Sequence, residues 1–385
     1  MTVSGRSQRR LIHVITPGDH FSPSTGSATV SVVHGLSAAR APGSPRPAVV
    51  VAEGTYPDRY DSADVIEYRQ RSSHRADRYV DAVRSTWGLS RSRAGDRYRA
   101  ALVGQESWDP AFVIGHNAVQ LIPVVAADRH LPVLYAHNDL LRSYSRREAG
   151  TTLDPAAAII AVSSYLADRL ESSLPIGLRD RVEVVANGVD VAAFDAPVRP
   201  SGRPLEVAFL GRMVPDKGAD VLVDALIRLN RPDIQAKVIG SEGFDPRSVP
   251  STFEKALRQA SAPLGTRIEF LPFQPRPQVV RLLSDADVVV VPSRWPEPFA
   301  LTVLEGMASG AAVIASNIGG IPEACGGAGV LVPAGDADAL AQALVALAED
   351  EHALRDLQRA SRERARLRDW SVVARELDAV LARRA

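Results

Sequence analysis

Val288-Val-Val-Val-Pro-Ser-Arg-Trp-Pro-Glu297-Pro-Phe-Ala-Leu-Thr-Val-Leu-Glu305 joins an unbroken valine run, a proline-interrupted loop and a helically spaced apolar stretch. Val288 to Val291 predicts a strand buried on both faces of a parallel sheet, ended by Pro292, Ser293 and Pro296. Leu301, Leu304, Met307 and Ala308 then recur with the period of a helix. Glu297 is therefore expected in the loop at the carboxyl end of a strand, where open α/β sheets bind ligands, and Glu305 about two turns into the helix. Free backbone N–H groups of Phe299, Ala300 and Leu301 at that helix start favour an anion such as a diphosphate. One carboxylate can accept hydrogen bonds from sugar hydroxyls beyond the diphosphate, the other from ribose hydroxyls on its opposite side. The spacing suits a sugar nucleotide, and two solvated surface glutamates are the plain alternative.

About eighty residues upstream, Val207-Ala-Phe-Leu-Gly211 reads as a strand that runs into Arg212-Met-Val-Pro-Asp-Lys217-Gly218. Arginine binds phosphate oxygens through a planar fork and lysine acts as a point charge, so this strand end offers two cations to one anion. Arginine fills 42 of the 45 basic positions, and only Lys217, Lys237 and Lys255 are lysine. In such a chain a lysine beside a glycine suggests that a compact ammonium is needed there.

The 385 residues are too many for one core and suggest two domains. Forty-five basic and 45 acidic side chains balance, which argues against general nucleic-acid binding. The single cysteine, Cys325, excludes an internal disulfide and fits a reducing compartment. Arg6 to Arg10 followed by Leu11-Ile-His-Val-Ile15 is too short in its apolar run for an export signal, and no stretch reaches the roughly twenty apolar residues of a membrane span. The expectation is a soluble cytoplasmic protein, with peripheral contact at the inner membrane face left open.

Strand-like and helix-like segments alternate, as in α/β folds. Expected strands are Leu11 to Ile15, Ala48 to Ala52, Phe112 to Ile114, Val133 to Tyr135, Ile159 to Val162 and Val182 to Val185, then Glu206 to Leu210, Lys237 to Ile239, Ile268 to Phe270, Val288 to Val291, Val313 to Ala315 and Gly329 to Val332. Two sets of about six predict two doubly wound domains. Pro197, Pro200, Gly202 and Pro204 mark the joint after the Asn187-Gly188 turn. Trp370, Val373, Leu377, Val380 and Leu381 mark a last amphipathic helix that could cross back to the first domain. The expected domains are 1–195, 196–365 and the helix 366–385.

Together these motifs resemble the retaining glycosyltransferases of family 4, with their GT-B fold of two Rossmann-like domains facing a cleft. The resemblance is carried by Gly211-Arg212, Lys217-Gly218, Glu297, Phe299, Glu305 and Ser316-Asn-Ile-Gly-Gly-Ile-Pro-Glu323, which fall in the family order. Val162-Ser-Ser-Tyr165, Asn187-Gly-Val-Asp190 and Asp369-Trp370 extend it more weakly. It implies an N-terminal acceptor domain and a C-terminal donor domain. It further implies that Arg212 and Lys217 hold the donor diphosphate, Glu305 the ribose and Glu297 the donor sugar, while the backbone near Pro272-Phe273 meets the base. Gly26 would stand in the first domain's glycine loop, and His116 resembles the family histidine that contacts donor sugar or phosphate. The co-substrate would be a UDP- or GDP-sugar carrying a hexosyl-type group, with no other cofactor. The acceptor is a glycan, lipid or small molecule that the sequence does not name.

Three departures stand out. Ala300 replaces the usual glycine after the phenylalanine, a methyl expected to narrow the donor space. Gly306 replaces the usual alanine after the second glutamate, and Ser24-Thr-Gly26-Ser27 offers one glycine where the family usually has a pair. His137-Asn-Asp139 is a second strand-end candidate, as fit to orient its loop as to touch substrate. Asp285-Ala-Asp287 precedes its strand and Asp336-Ala-Asp338 opens a helix, so neither is placed as a magnesium pair, and no metal is expected. Between Arg59 and Arg99 ten arginines mix with aromatic and acidic residues. That segment reads as a helix-rich solvated face or as a grip on an anionic acceptor or membrane. Two other readings stay open: a pyridoxal-dependent phosphorylase, which would need a lysine from Lys237 or Lys255, and a non-catalytic sugar-nucleotide or polysaccharide binding protein. Oligomeric state is open.

Overall fold

The computed structural model describes residues 9–70, 75–194 and 204–385; Arg6, Pro197, Pro200 and Gly202 lie outside them. The chain divides into two compact units, residues 1–186 with 370–385, and residues 187–369.

The first unit holds a seven-stranded sheet of β1 (Arg10–Val14), β2 (Ala48–Ala52), β3 (Asp64–Tyr68), β4 (Ala111–His116), β5 (Leu131–Ala136), β6 (Ala158–Ala161) and β7 (Val182–Val184). Its order is β3-β2-β1-β4-β5-β6-β7. The second unit holds β8 (Leu205–Leu210), β9 (Ile234–Ile239), β10 (Ile268–Leu271), β11 (Val288–Val291), β12 (Ala312–Ser316) and β13 (Val330–Val332), in the order β10-β9-β8-β11-β12-β13. All pairings are parallel. Each order reverses beside its first strand, so each sheet has a switch point, between β1 and β4 in one and between β8 and β11 in the other.

The central strands β2 and β11 are buried along their whole length, as apolar runs without alternation require when helices cover both faces. In the second unit Val207, Phe209, Val288 and Val290 pack with Leu222 of the helix Ala219–Leu229 and with Leu340 and Leu344 of the helix Ala337–Glu349. Val289 points to the opposite face by the strand period and meets Gly306. Burying each such side chain is worth about 1.5–3 kcal/mol.

The expected six strands of the first domain become seven. β3 lies inside the Arg-rich segment as an edge strand, mostly half-buried or exposed, so Asp64-Val-Ile-Glu-Tyr68 carries no apolar run to announce it. The helices Arg75–Thr86 and Ser92–Ala101 fill the rest of that segment.

The units part at Ala186/Asn187, not at 195/196. Asn187 to Val191 are tied to Arg368 and Asp369: Val189 N–H donates to the Arg368 carbonyl at 2.9 Å, and Val189 forms a parallel bridge with Asp369. For the same reason the final boundary falls at Asp369/Trp370 and not at 365/366. The helix Glu351–Leu367 runs through that position, and the helix Trp370–Arg384 belongs to the first unit.

That last helix buries Trp370, Val373, Leu377, Val380 and Leu381, the face its periodicity predicts. Arg40 pairs with Asp378, while Arg383 and Arg384 pair with Glu183 of β7. The Trp370 ring lies directly on Gly35, where a β carbon would come within 2.2 Å of the indole. Gly35→Ala is expected to destabilise the first unit by about 1–3 kcal/mol, the usual cost of overpacking, read as a lowered urea midpoint of its unfolding. An unchanged midpoint would show that the helix can shift freely.

Candidate active site

At the switch point of the second sheet, backbone meets backbone. β8 ends at Leu210 and leads through Gly211 and Arg212 into a 3-10 turn, Pro215–Lys217, that Gly218 closes with φ 71°. A β carbon on Gly218 would lie 1.9 Å from the Pro292 carbonyl oxygen beyond β11. Gly240, after β9, has φ 136° and approaches the Gly211 carbonyl as closely, a β carbon there falling at 2.0 Å. Only glycine fits such approaches. They bring the ends of β8, β9 and β11 together and set Lys217 beside the loop that carries Glu297.

Glu297 is 7% exposed. Ser293 Oγ donates to its Oε1, Lys217 Nζ lies 2.9 Å from its Oε2, and its carbonyl accepts from Gly320 N–H at 2.7 Å. Arg294 pairs with Asp220 at 2.6 Å, and its N–H donates to the Asp216 carbonyl at 2.8 Å, locking the two loops together. Arg212 is exposed and donates through Nε to the Glu242 carbonyl at 3.1 Å. Arg276 pairs with Glu305 and lies over the Phe194 ring at 5.6 Å. Neither Arg276 nor Ser293 was legible as a partner. Arg276 opens the helix Arg276–Ser284, far in sequence from either glutamate, whereas Ser293 stood four residues before Glu297 in plain view.

The helix after Glu297 runs Leu301–Ala308 and starts at Ala300 with no capping side chain; Val303 N–H donates to the Ala300 carbonyl at 3.1 Å, and no side chain caps the N–H groups of Leu301 and Thr302. Glu305 lies about one turn into it rather than two, because the helix begins only at Leu301. Phe299 is 8% and Ala300 3% exposed. The Ala300 methyl is enclosed by protein instead of narrowing open space, so the expected restriction on the donor does not follow. A β carbon on Gly306 would fall 2.8 Å from Val289 Cβ, so glycine makes room for a branched strand residue. Phe273 N–H donates to Ser241 Oγ at 3.0 Å, and its ring meets Phe244 edge-on at 5.7 Å. Gly211, Arg212, Lys217, Phe273, Glu297, Phe299, Ala300, Leu301 and Glu305 thus all lie at or just beyond the carboxyl ends of β8, β10 and β11.

The Asp-x-Asp triplets have structural roles. Asp287 accepts from Glu206 N–H at 2.9 Å, and Asp336 caps its helix through Ala339 N–H at 2.9 Å. Among the described residues no group of three or more His, Cys, Asp or Glu side chains could hold a metal ion.

In the first unit, Gly26 is exposed in the loop before the helix Ala28–Ala38, whose N-terminus Ser27 caps through Val30 N–H. His116 is not open to a ligand. It has no exposed surface, and its Nε2 lies 2.9 Å from His13 Nδ1 and its Nδ1 2.8 Å from His137 Nε2. The strand-end position predicted contact, but the ring lies among His13, Tyr135 and His137, with ring centroids 5.1, 5.3 and 5.1 Å away. Half-buried His137, the weaker candidate, is the outer member of the chain. Burial pushes His13 down to about 3, helped by the Arg40 charge. Burial lowers His137 to about 3, and lowers His116 well below its ordinary value with help from its two neighbours.

Known proteins resemble part of this chain in sequence and most of it in fold. Residues 192–366 match the family model described as glycosyl transferases group 1. The chain is 35% identical over 219 residues to a D-inositol 3-phosphate glycosyltransferase of Corynebacterium glutamicum, covering 52% of this chain and 51% of that one. It is 36% identical over 207 residues to a phosphatidyl-myo-inositol mannosyltransferase of Mycolicibacterium smegmatis, covering 51% and 50%. It therefore spans about half the length of these curated relatives. The solved structure of Anabaena HepE in complex with UDP and glucose superposes with a TM-score of 0.70 at 19% identity over 96% of this chain and 99% of that one. The fold is GT-B, two Rossmann-like units with parallel sheets.

The buried imidazoles have an acid signature. Their folded pKa values are depressed, so below about pH 6.5 the unfolded chain takes up protons that the folded chain refuses. Stability should fall as pH drops from about 6.5 toward 3, with a slope approaching 1.4 kcal/mol per pH unit for each imidazole. The urea midpoint of the first unit is expected to drop between pH 7 and pH 5.5, before most carboxylates titrate, and to drop less in a His13→Gln variant. Equal pH dependence in both would show that the chain protonates in place.

Proposed function

We propose that the protein is a retaining, metal-independent glycosyltransferase that moves a hexosyl-type sugar from a UDP- or GDP-sugar to an acceptor hydroxyl. The observation that carries this reading is the Lys217–Glu297 pair, 2.9 Å apart at the switch point of the second sheet, with Glu305 following one helical turn later. In a diphosphate complex Lys217 and Arg212 supply positive charge to the leaving oxygen, and the uncapped helix start at Ala300 adds backbone N–H groups. This charge takes the place of a metal ion. Glu297 then accepts hydrogen bonds from the donor sugar and Glu305 from the ribose, with Arg276 holding the Glu305 carboxylate in place.

Transfer breaks the bond between the anomeric carbon and the diphosphate oxygen and forms one to the acceptor oxygen on the same face. The acceptor proton passes to the departing phosphate. A retaining hydrolase would place two carboxylates on either side of the bond, and no such pair is identified in the sequence. Two of the relatives are named for inositol 3-phosphate and phosphatidyl-myo-inositol, which supports an acceptor rich in hydroxyls and anionic charge. No helix among the described residues is long and apolar enough to cross a membrane. Contact with a lipid-borne acceptor would fall to the Arg-rich segment, where Trp87 is 70% and Leu89 42% exposed.

Thermal shift with UDP, GDP, ADP and their sugar conjugates, each with EDTA or magnesium, tests the donor site. A ligand at a hundred times its Kd adds about 2.7 kcal/mol. One nucleotide is expected to stabilise in EDTA, and no stabilisation by any would overturn the reading. Lys217→Ala and Arg212→Ala should each lower kcat by roughly a hundredfold or more. Glu305→Ala should weaken free nucleotide, whereas Glu297→Ala should weaken only the sugar conjugate; the reverse order in calorimetry would show the two assignments exchanged. Sedimentation with anionic vesicles at low salt is expected to carry the protein down and to lose it in Trp87→Ala. Absence of binding removes the membrane part alone.

A further inference from the structure

Four neighbouring strands of the second sheet carry different chemistry beyond their carboxyl ends. In the spatial order β11, β8, β9 and β10 stand Glu297, then Arg212 and Lys217, then Phe244, then Phe273. Neighbouring strands lie ~4.8 Å apart, so three spacings cover about 14 Å, the scale of an extended nucleotide sugar. The Arg276–Glu305 pair links the two ends of this row, since Glu305 stands on the helix after β11 and Arg276 opens the helix after β10. Charged groups give way to two phenyl rings along the row.

The aromatic end rests on a clamped loop. Ser241 to Ser251 leaves β9 and returns at the helix Thr252–Ala260. The buried Glu254 carboxylate accepts from N–H groups on both sides of that loop, Glu242 at 3.1 Å and Ser251 at 2.5 Å. Met213 N–H donates to the Ser241 carbonyl at 3.1 Å, and Phe273 N–H donates to Ser241 Oγ at 3.0 Å. The loop is thereby tied to the cation-bearing turn after β8 on one side and to the turn after β10 on the other. Phe244 is held edge-on to Phe273 at 5.7 Å and 63°, yet it is 42% exposed, the most exposed phenylalanine or tryptophan described in the second unit. An edge-on contact leaves much of a ring face open to a third flat group.

We infer that Phe244 is the platform on which the nucleotide base stacks, and that Glu254 is a positioning residue that holds the platform in place. The ligand in this inference rests on the sugar-transfer reading. A nucleotide sugar presents sugar, diphosphate, ribose and base in one fixed order. The row answers in that order with Glu297, with Lys217 and Arg212, with Glu305 and Arg276, and with the phenyl pair. Every base has a π face, so a phenyl platform adds affinity without choosing among bases.

Calorimetry on the full chain with UDP, GDP and ADP tests the platform. Phe244→Ala is expected to weaken each nucleotide that the wild type binds by about fivefold to a hundredfold, the range for losing one base–aromatic stack. Phe244→Tyr keeps the ring face and should bind as the wild type does. Ribose 5-diphosphate, read by its displacement of bound nucleotide, has no base and should bind Phe244→Ala and the wild type equally. Glu254→Gln keeps an acceptor for only one of the two N–H groups, and it should weaken nucleotide while sparing ribose 5-diphosphate. Unchanged nucleotide affinity in Phe244→Ala, or a loss that ribose 5-diphosphate shares, would overturn the platform. The same pattern in Glu254→Gln would remove its positioning role alone. A wild type that binds none of the three nucleotides would sink the sugar-transfer reading itself, whereas tight binding indifferent to Phe244 leaves that reading standing and ends this inference.

Discussion

The closeness of main chain to main chain at the end of the second sheet is the constraint on which the rest of the site depends. Gly218 against Pro292 and Gly240 against Gly211 leave no space for even one carbon atom. These contacts fix three loops that come from distant parts of the sequence, and a lysine and a glutamate from two of them end within 2.9 Å. A loop displaced by the width of a methyl group would part that pair. Preorganised charge acts strongly because it need not be rearranged when a ligand arrives, and here the rigidity resides in the backbone.

The charged groups in the site hold one another in the free protein. Lys217 is taken by Glu297, Arg276 by Glu305 and Arg294 by Asp220. On the proposed reading, a diphosphate would compete with a carboxylate for the lysine. The pairing keeps Glu297, which is almost fully buried, from standing as an uncompensated charge. Arg212 differs, being exposed and donating to a carbonyl instead of pairing with a carboxylate among the described residues, so it can turn toward an anion at little cost.

Much of this was legible in the sequence, and the features that escaped it have a common cause. The inner strands of the second sheet, such as β11 and β12, announce themselves because apolar runs are compulsory where helices cover both faces. β3 lies at an edge and needs no such run. The positions of Gly211, Lys217, Glu297 and Glu305 followed from strand and helix ends, since chain direction alone puts them on one side of the sheet. Which cation would meet which carboxylate did not follow, because Arg276 arrives on a separate helix. His116 misled for a similar reason. Its strand end was read correctly, but burial is decided by neighbours on other strands, and its partner His13 lies 103 residues earlier on β1. Gly306 looked like a departure until Val289 appeared beneath it.

The helix Trp370–Arg384 belongs to the first unit although the whole second unit precedes it in the chain. Residues 187–369 are therefore all synthesised before this helix, whereas the first unit must wait for it. Val373, Leu377 and Leu381 emerge about 190 residues after the last strand of the sheet whose unit they complete. Domains fold as units and generally in order of synthesis. In this chain the order is inverted at the final step, and the half that is made first is the half that is finished last.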